Sequence, residues 1–392
     1  MKKTVKLHEI SKIYSGGTPS RTNKNYWNGK IPWVKTAQVQ NKVIEEIDIE
    51  EYISEEGLKH SSAKIVPKGT IIMAMYGQGK TRGQVGILGL DASINQACAA
   101  IKLKDGVNRV FVYQQLLYKY DLIRRMSNSG SQENLSLELI KRIEIFLPPL
   151  PEQKAIADIL STWDEAIEKT EKLIKEKEKK KGHLIYEIII EPALSGKWNE
   201  QPARKLFKER RESNCNDLNL LSITGNEGII PRDETNRKDS SNEDKSKYLR
   251  ICPDDIGYNT MRMWQGVSAL SELEGIVSPA YTIVTPKKDL HPKFVAYLFK
   301  TPFMIHRFYR YSQGLTSDTW NLKFHHFAEV KIPFPPLSEQ KSIAETLNTA
   351  QDEINILKKL SEKYKKQKQG LMQKLLTGEW RVNGEVIKKM EA

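Results

Sequence analysis

Cysteine is scarce in this chain of 392 residues, and long apolar runs are absent. The three cysteines, Cys98, Cys215 and Cys252, lie far apart and form no CxxC pair. This argues against a disulfide framework and a cysteine-rich zinc site, and it fits a reducing cytosol. Without a run of about 18 apolar residues, and without an apolar segment at the N-terminus, neither a membrane span nor a signal peptide is expected. We therefore expect a cytoplasmic protein.

The motifs of common enzyme classes are also missing. The sequence contains no Gly-x-Ser-x-Gly nucleophile motif, no His-Glu-x-x-His zinc motif, and no Asn-Pro-Pro-aromatic or Asp-Pro-Pro-aromatic motif for amino-group methylation. The adjacent His325 and His326 cannot share one face of a strand or a helix, so a metal site there is not expected. We expect no catalytic residues, no metal site and no cofactor of the chain's own.

Positive charge is present in excess and is unevenly distributed. The 62 Lys and Arg against 49 Asp and Glu give a net charge of +13, while apolar residues at 39% suffice for folded cores. Residues 1–150 carry +8 and residues 199–337 carry +3, whereas residues 151–198 carry −1. We call residues 1–150 and 199–337 the two mixed-pattern blocks, because neither shows one sustained helix or strand pattern. The charge distribution predicts that an anionic partner binds these blocks rather than the segment between them.

An internal repeat organises the chain. Residues 145–160, IFLPPLPEQKAIADIL, match residues 332–347, IPFPPLSEQKSIAETL, at a constant offset of 187. Further along, Leu194-Ser-Gly-Lys-Trp198 matches Leu376-Thr-Gly-Glu-Trp380 at an offset of 182. Each copy is therefore a mixed-pattern block, a Pro-Pro-Leu-x-Glu-Gln hinge and a long charged segment, and that segment is five residues shorter in the second copy.

Each charged segment is predicted to be one long helix, over about 152–190 and about 339–376. The hinge prolines enforce extended chain before each helix, and a glutamate follows in each first turn, where negative charge is favoured. Gly196 and Gly378 stand just past the predicted ends, where a left-handed conformation is wanted. Nearly forty residues of helix would span roughly 55 Å.

The two helices are expected to pair with each other. Their apolar residues recur at a spacing of three and four, with polar residues such as Lys177 and Lys368 interrupting the seam. Such narrow seams are typical of coiled coils. The predicted seam and partner-docking residues are Leu160, Trp163, Ile167, Ile174, Leu347, Ile354, Leu357, Tyr364 and Leu371. The predicted fold class is α+β, with two globular mixed α/β domains alternating with two long helices that pair as an antiparallel coiled coil in a pseudo-two-fold repeat.

Arg, Lys, Asn, Gln and Thr on glycine-broken loops are the residue types that contact phosphates and base edges. The first block has such a stretch at Ser15–Trp27, a predicted strand at Ile31–Val34, and a turn and strand over Ile65–Met75. The candidate DNA-binding residues of this block are Thr18, Ser20, Arg21, Asn23, Lys24, Lys35, Gln38, Tyr76, Gln78, Lys80, Thr81, Arg82 and Gln84.

The second block has a comparable stretch at Asn259–Gly266, followed by Glu274–Val284. Its aromatic residues Trp264 and Tyr281, like Trp33 of the first block, favour core packing over DNA contact, so the polar residues are the better candidates. The polar candidates for DNA binding in this block are Arg232, Asn259, Arg262, Gln265, Arg310, Gln313 and Thr316, and Tyr258 is a further candidate.

Residues 74–81, AMYGQGKT, fit a loose form of the phosphate-binding loop of NTPases. Such a loop requires a helix directly after it, but three glycines in residues 82–89 make a helix unfavourable there. Nucleotide hydrolysis and a nuclease built on this loop therefore remain weak alternatives, and a loop beside a DNA backbone is favoured.

The whole plan resembles the specificity subunits of Type I restriction–modification systems. The resemblance rests on the two hinges with their Leu-Ser-Gly-Lys-Trp and Leu-Thr-Gly-Glu-Trp terminators, on Ser15-Gly-Gly-Thr-Pro19, on Asn95-Gln-Ala-Cys98 and on Glu274–Tyr281. It implies five regions: target recognition domain 1 over 1–147, helical region 1 over 148–198, target recognition domain 2 over 199–334, helical region 2 over 335–380, and a tail over 381–392.

The resemblance implies a non-catalytic role in which each recognition domain reads one half of a split double-stranded DNA site. The coiled coil would set the spacer and dock two methyltransferase subunits, through which restriction and translocase subunits would join. Those partners would use S-adenosylmethionine, ATP and magnesium. A specificity subunit of a combined restriction–methylation enzyme of another type is the alternative within the same architecture.

Overall fold

The structure is a computed structural model that describes residues 3–77, 79–126, 134–225, 228–234, 244–316, 319–385 and 387. The chain forms two compact units. The first comprises Met1–Glu171 and Lys359–Ala392, and the second comprises Lys172–Lys358. Each long helix therefore contributes one part of its length to each unit.

The first unit is a mixed α/β structure. Its strands are Thr4–Lys6, Ser11–Ser15, Trp27–Val34, Val43–Ile44, Tyr52–Ile53, Ile65–Val66, Ile71–Ala74, Val85–Leu88, Ala92–Ile94, Cys98–Leu103 and Glu144–Phe146. Its short helices are Leu7–Ile10, Glu55–Lys59, Arg109–Tyr118, Tyr120–Met126 and Leu137–Lys141, and the first long helix is Leu150–Ile185. The predicted strands at Ile31–Val34 and within Ile65–Met75 are confirmed.

The five-stranded sheet of the first unit has Ile71–Ala74 at its centre. This strand is a continuous apolar run in which all four side chains are buried, as expected for a strand covered on both faces. Cys98–Leu103 pairs with it in antiparallel register, so that Cys98 lies opposite Ala74 and Ile101 lies opposite Ile71. Beside this sheet, Arg109–Tyr118 begins at Asn108, whose side chain accepts a hydrogen bond from Phe111 N.

The second unit repeats this plan. Its strands are Asn199–Pro202, Phe207–Arg210, Leu221–Ile223, Ile229–Pro231, Leu249–Ile251, Ile256–Asn259, Ser268–Leu270, Gly275–Val277, Tyr281–Pro286 and Lys331–Phe334. Its short helices are Glu191–Leu194, Ala203–Leu206, Pro292–Phe299, Pro302–Tyr311 and Phe324–Phe327, and the second long helix is Leu337–Leu375. A four-stranded sheet has the order Phe207–Arg210, Tyr281–Pro286, Ile256–Asn259, Ser268–Leu270.

Corresponding strands pair in the same way in both units. The strand that opens the first unit, Thr4–Lys6, pairs antiparallel with Glu144–Phe146 directly before the hinge. In the second unit Asn199–Pro202 pairs antiparallel with Lys331–Phe334, also directly before its hinge. The duplication predicted from sequence is therefore a duplication of fold.

The glutamine of each hinge is a buried clamp. Gln153 is 2% exposed; its Nε2 donates to Pro148 O at 2.8 Å, and its Oε1 accepts from Asn108 N at 2.9 Å. Gln340 is fully buried; its Nε2 donates to Pro335 O at 2.8 Å, and its Oε1 accepts from His291 N at 2.8 Å. Each amide thus ties the extended hinge to the residue that begins a neighbouring helix, in the same way in both copies.

Each hinge glutamate accepts hydrogen bonds from a residue in the segment that follows a long helix. In the first unit Glu152 is 4% exposed and accepts hydrogen bonds from Arg381 at 2.7 Å and 2.5 Å. In the second unit Glu339 accepts from Trp198 Nε1 at 3.2 Å. Both carboxylates lie in the first turn of a long helix, where the helix dipole also favours them.

Within each unit the two long helices pair antiparallel. In the first unit Lys368 contacts Asp164 at 2.5 Å, and Lys365 contacts Glu171 at 2.9 Å. In the second unit Lys177 contacts Glu353 at 2.5 Å. The residue numbers rise along one helix as they fall along the other, which confirms the predicted antiparallel pairing.

The polar residues that interrupt the apolar pattern belong to the seam. On the second long helix, Leu347, Ile354, Ser361, Lys368 and Leu375 recur every seven residues, and all five are at most 9% exposed. A strict seven-residue repeat keeps these side chains on one face of a coiled coil. Among the other predicted seam residues Leu160 is fully buried and Ile174 is 9% exposed, while Trp163, Ile167, Leu357, Tyr364 and Leu371 are half-buried.

The predicted helix limits are close to the observed ones, with one difference in the first copy. Each helix starts two residues before the predicted residue, at the leucine of its hinge. In the longer first copy, the α-helix passes into a π-helix at Tyr186–Ile190 and then into Glu191–Leu194. Gly196 and Gly378 have φ angles of 77° and 67°, so the predicted left-handed C-terminal positions are confirmed.

Candidate nucleic-acid interface

Three segments of the first unit converge at one end of its sheets. The loop after Ser11–Ser15 is fixed by a hydrogen bond from Gly17 N to Ile94 O at 2.9 Å. The segment after Ile71–Ala74 is fixed by one from Met75 N to Ala97 O at 2.8 Å. The turn at residues 95–97 thus lies between the two loops that hold most of the predicted DNA-binding residues, and Thr18 hydrogen bonds to Gln96 in this turn.

A charged and aromatic cluster stabilises the first of these loops. The Arg21 guanidinium lies 3.7 Å from the centre of the Trp27 ring and contacts Glu51 at 2.6 Å. Lys35 contacts Glu51 at 2.7 Å and Glu50 at 2.9 Å, and these contacts raise the pKa of Lys35. Burial alone would raise the pKa of Glu51, but hydrogen bonds from Arg21 and Lys35 outweigh it and lower that pKa. The loop is therefore held in shape by partly buried charge pairs.

The loop at residues 74–82 is not a phosphate-binding loop of the NTPase type. After the turn at Gly79 and Lys80 the chain enters the strand Val85–Leu88, so the N-terminus of a helix does not follow. Lys80 and Tyr76 are exposed, Thr81 and Gln84 are half-buried, and the candidate Gln78 lies outside the described residues.

The second unit brings equivalent segments together. Thr260 N donates to Ala280 O at 3.1 Å, which matches the bond from Met75 to Ala97. Leu322 N donates to Thr260 O at 2.8 Å, and in the first unit Leu135 N donates to Met75 O at 3.0 Å. The same strand-end framework therefore carries the candidate residues in both units.

An aromatic cluster supports the candidate residues of the second unit. Trp264 and Trp320 meet edge to face with ring centres 5.1 Å apart, and Tyr309 meets Trp320 at 5.0 Å. Arg262 and Gln265 flank Trp264 and are exposed. Arg310 and Gln313 are also exposed. Arg310 follows Tyr309 in the chain, and the backbone of Gln313 pairs with Asn321, which follows Trp320.

Three predicted DNA-binding residues have buried side chains, which does not fit a direct contact with DNA in this structure. Tyr258 is fully buried, and its ring packs on Phe327 at 5.4 Å. Gln38 is 5% exposed, and its Oε1 accepts from Lys35 N at 2.7 Å. Arg82 is also 5% exposed. The Tyr258 ring therefore packs in the core, and Gln38 holds the backbone at the base of its loop.

The remaining candidates lie at or near the convergent loops. Lys24, Ser20 and Thr316 are exposed, and Asn23 begins a short 3₁₀ helix by accepting a hydrogen bond from Asn25 N. Asn259 ends the strand Ile256–Asn259, and its side chain accepts from Met261 N at 2.9 Å.

Arg232 lies beside a cavity of about 180 Å³ that Tyr281 also lines. Its Nη1 donates to Ser222 Oγ at 3.1 Å. Because Tyr281 pairs with Asn259, this cavity adjoins the strand end that carries the other candidates.

Sequence reasoning missed Gln96, Tyr309 and Trp320 as members of these surfaces. The signal was present for two of them, because Gln96 lies in Asn95-Gln-Ala-Cys98, and Trp320 directly precedes Asn321-Leu322, the repeat of Asn134-Leu135. Tyr309 carries no such signal, since only the packing of Pro302–Tyr311 brings it to Trp320.

These features define a protein built from two copies of one mixed α/β domain, each with a polar loop surface at the ends of its strands, and from two long helices. The family model described as the Type I restriction modification DNA specificity domain matches residues 2–178 and 229–366. The chain therefore belongs to this family.

Curated relatives agree with this assignment. The specificity subunit of the Type I restriction enzyme MjaIX of Methanocaldococcus jannaschii is 32% identical over 191 residues, which are 47% of this chain and 41% of the relative. The EcoR124I/EcoR124II specificity subunit of Escherichia coli is 27% identical over 164 residues, 40% of each chain. The match thus spans about two fifths of these relatives. The MjaVIII specificity subunit of M. jannaschii matches at 21% identity over 96% of this chain and 92% of its own length.

Solved structures show the same fold. The crystal structure of the Type-I restriction-modification system S subunit from M. genitalium superposes with a TM-score of 0.59 at 15% identity, over 95% of this chain and 96% of that one. A second structure, from work on complex assembly and conformational transition of the type I R-M system, gives 0.54 at 14% identity over 96% and 98%. The predicted fold class is confirmed.

Two further observations concern the described residues. No helix among them is long and apolar enough to cross a membrane. Among the same residues, no group of three or more His, Cys, Asp or Glu side chains is arranged to hold a metal ion.

Proposed function

We propose that the chain is a non-catalytic DNA-specificity subunit of a Type I restriction–modification complex, in which each unit reads one half of a split double-stranded DNA site. The observation that carries this proposal is a strand-end framework that occurs in both units: Met75 bonds to Ala97 and Leu135 in the first unit, and Thr260 bonds to Ala280 and Leu322 in the second. Polar side chains on loops anchored at strand ends are suited to base edges and phosphates.

The partners in this proposal are two methyltransferase subunits, with restriction subunits joining through them. The long helices offer them a surface, since Ile356 and Tyr186 are 66% and 53% exposed. Catalysis and its cofactors, S-adenosylmethionine, ATP and magnesium, would belong to those partners. Membership of the specificity family supports this assignment over a nuclease or an NTPase using residues 74–81.

Selection from a random DNA library by the full chain, with its partner methyltransferase present, tests this function. We expect enrichment of a site in two parts separated by a gap of unread bases, because the chain carries two separate reading surfaces. Enrichment of one contiguous motif, or no enrichment above unselected DNA, would contradict the proposal.

A single substitution tests the surface of the second unit. We expect Arg262→Ala to relax base preference at one position of one half-site, costing about 1–3 kcal/mol of discrimination if the guanidinium reads a base. Competition binding against each single-base variant of the selected site measures this loss.

Arg204→Ala is the matched control. Arg204 is similarly exposed and pairs with Glu329, and it precedes the strand Phe207–Arg210, at the end of the sheet opposite to the surface that carries Arg262. We expect it to leave base preference unchanged. Uniform weakening of all sequences by Arg262→Ala, with a shallower salt dependence, would assign Arg262 to a phosphate instead.

A further inference from the structure

A basic cavity lies at the far end of the central strands of the first unit, away from the recognition loops. Ala74 pairs with Cys98 at the recognition end, whereas Ile71 pairs with Ile101 at the other end. Gly69 and Lys102, which line the cavity, flank this second pair. The three residue steps from Ile71 to Ala74 span roughly 10 Å, and the cavity lies beyond Ile71, so it is separate from the candidate DNA surface.

The lining of this cavity is strongly positive. Its volume is about 450 Å³, within the range of small-ligand sites. Its charged side chains are Lys68, Lys102, Lys104, Arg109, Lys154 and the single carboxylate Asp105. Five cations around one cavity repel each other, and an anion bound among them would remove that repulsion.

The position of Arg109 indicates an anion at this place. Arg109 is the first residue of the helix Arg109–Tyr118, where a positive charge opposes the helix dipole. It lies directly over Gly69, whose φ angle is 86°, and a β-carbon at Gly69 would overlap the guanidinium. The left-handed turn itself explains Gly69, because Asp254 has the same conformation, with a φ angle of 68°, in the second copy. The unfavourable charge at the helix start remains, and a bound anion would offset it.

The second copy differs at both of these positions. Asp254 stands where the first copy has Gly69, and Pro292 begins the helix that corresponds to Arg109–Tyr118. The basic cradle is therefore not a general requirement of the repeated fold, since the second copy folds with an acid and a proline in these places.

We propose that this cavity binds phosphate groups, with Arg109 and Lys154 among the residues that hold them. Pyrophosphate carries several negative charges, and a nucleic-acid backbone carries one on each of its neighbouring phosphates. Both offer several acceptor oxygens, which suit a guanidinium fork and clustered ammonium groups better than one carboxylate does. The phosphate belongs either to a free polyphosphate, of the size of pyrophosphate or a nucleotide, or to a nucleic-acid backbone. The proposal does not depend on the base-reading function of the loops.

Pyrophosphate titration of the full chain by calorimetry, at constant ionic strength, tests the site. We expect saturable binding by the unchanged protein, and binding about a hundredfold weaker in Arg109→Ala/Lys154→Ala, since each lost charge-assisted contact costs about tenfold. Lys341→Ala is the matched control, because Lys341 occupies the place of Lys154 in the second hinge. We expect this control to bind like the unchanged protein.

A charge-preserving variant tests whether a loss of binding in the double alanine variant comes from the lost charges or from misfolding. Arg109→Lys/Lys154→Arg should retain most of the binding, and thermal melting of all variants should stay close to that of the unchanged protein, because both side chains are exposed. Absence of saturation in the unchanged protein, or equal binding by Lys341→Ala and the double alanine variant, would overturn the proposal.

Binding to duplex DNA over a range of salt concentrations separates the two sources of phosphate. If the double alanine variant loses pyrophosphate binding but keeps its DNA affinity, the site takes a free polyphosphate. If it also weakens binding to all DNA sequences alike and reduces the salt dependence, the site takes the DNA backbone.

Discussion

Gln340→Ala is expected to destabilise the second unit by about 3–5 kcal/mol. The amide of Gln340 is fully buried and makes three hydrogen bonds, to Pro335 O, Asp289 O and His291 N, at 2.8–2.9 Å. Alanine would leave two carbonyl groups and one N–H without partners, and each buried unsatisfied group costs about 1–3 kcal/mol. Urea denaturation followed by circular dichroism measures the loss.

A surface glutamine of the same helix is the control for this prediction. Gln369→Ala changes an exposed side chain, and alanine is the better helix former, so no loss of stability is expected. Gln153→Ala removes two such bonds rather than three and should cost less than Gln340→Ala. If Gln340→Ala unfolded at the same urea concentration as Gln369→Ala, the clamp would not stabilise the hinge.

Phe327→Ala is expected to cost about 3–5 kcal/mol and to abolish reading by the second unit. Phe327 is fully buried, with ring centres of Tyr258 at 5.4 Å and Phe207 at 5.5 Å. The cavity left by alanine would loosen the strand Ile256–Asn259, which leads into the loop with Arg262. Thermal melting measures the stability, and library selection measures which half-site survives.

The size of the side chain at position 327 determines how much stability is lost. Phe327→Leu keeps most of the buried volume, so we expect a loss of about 1 kcal/mol and an unchanged half-site. We expect Phe327→Ala to preserve the half-site read by the first unit, because the rings around Phe327 all belong to the second unit. Loss of both half-sites at a temperature where the first unit is folded would contradict this expectation.

Much of the fold could be predicted from sequence because local residue patterns determine the backbone of the hinges and of the long helices. Prolines before each long helix, the glycines after it and the seven-residue recurrence each constrain the backbone directly. The apolar pattern predicts too narrow a seam, because it treats polar residues such as Lys368 as interruptions, whereas Ser361 and Lys368 are both buried in the seam. Hydropathy ranks these side chains as polar, and only the partner helix shows that Asp164 lies opposite Lys368.

The candidate site was harder to predict because burial depends on the whole fold. Tyr258 and Arg262 lie four residues apart in one polar, aromatic stretch, yet the first is in the core and the second is exposed. The difference arises at Asn259, where the strand ends and the chain turns into a 3₁₀ helix. Residue type alone does not locate that turn. The bases that each loop reads depend on still finer geometry.

The division of the long helices between the units has a consequence for the order in which the chain folds as it is made. All of the second unit, residues 172–358, is continuous in sequence, so its core can close as soon as that stretch has left the ribosome. The core of the first unit includes Leu375 and Leu376, and its hinge glutamate Glu152 is paired by Arg381. The half of the protein that is synthesised first is therefore the half that is completed last.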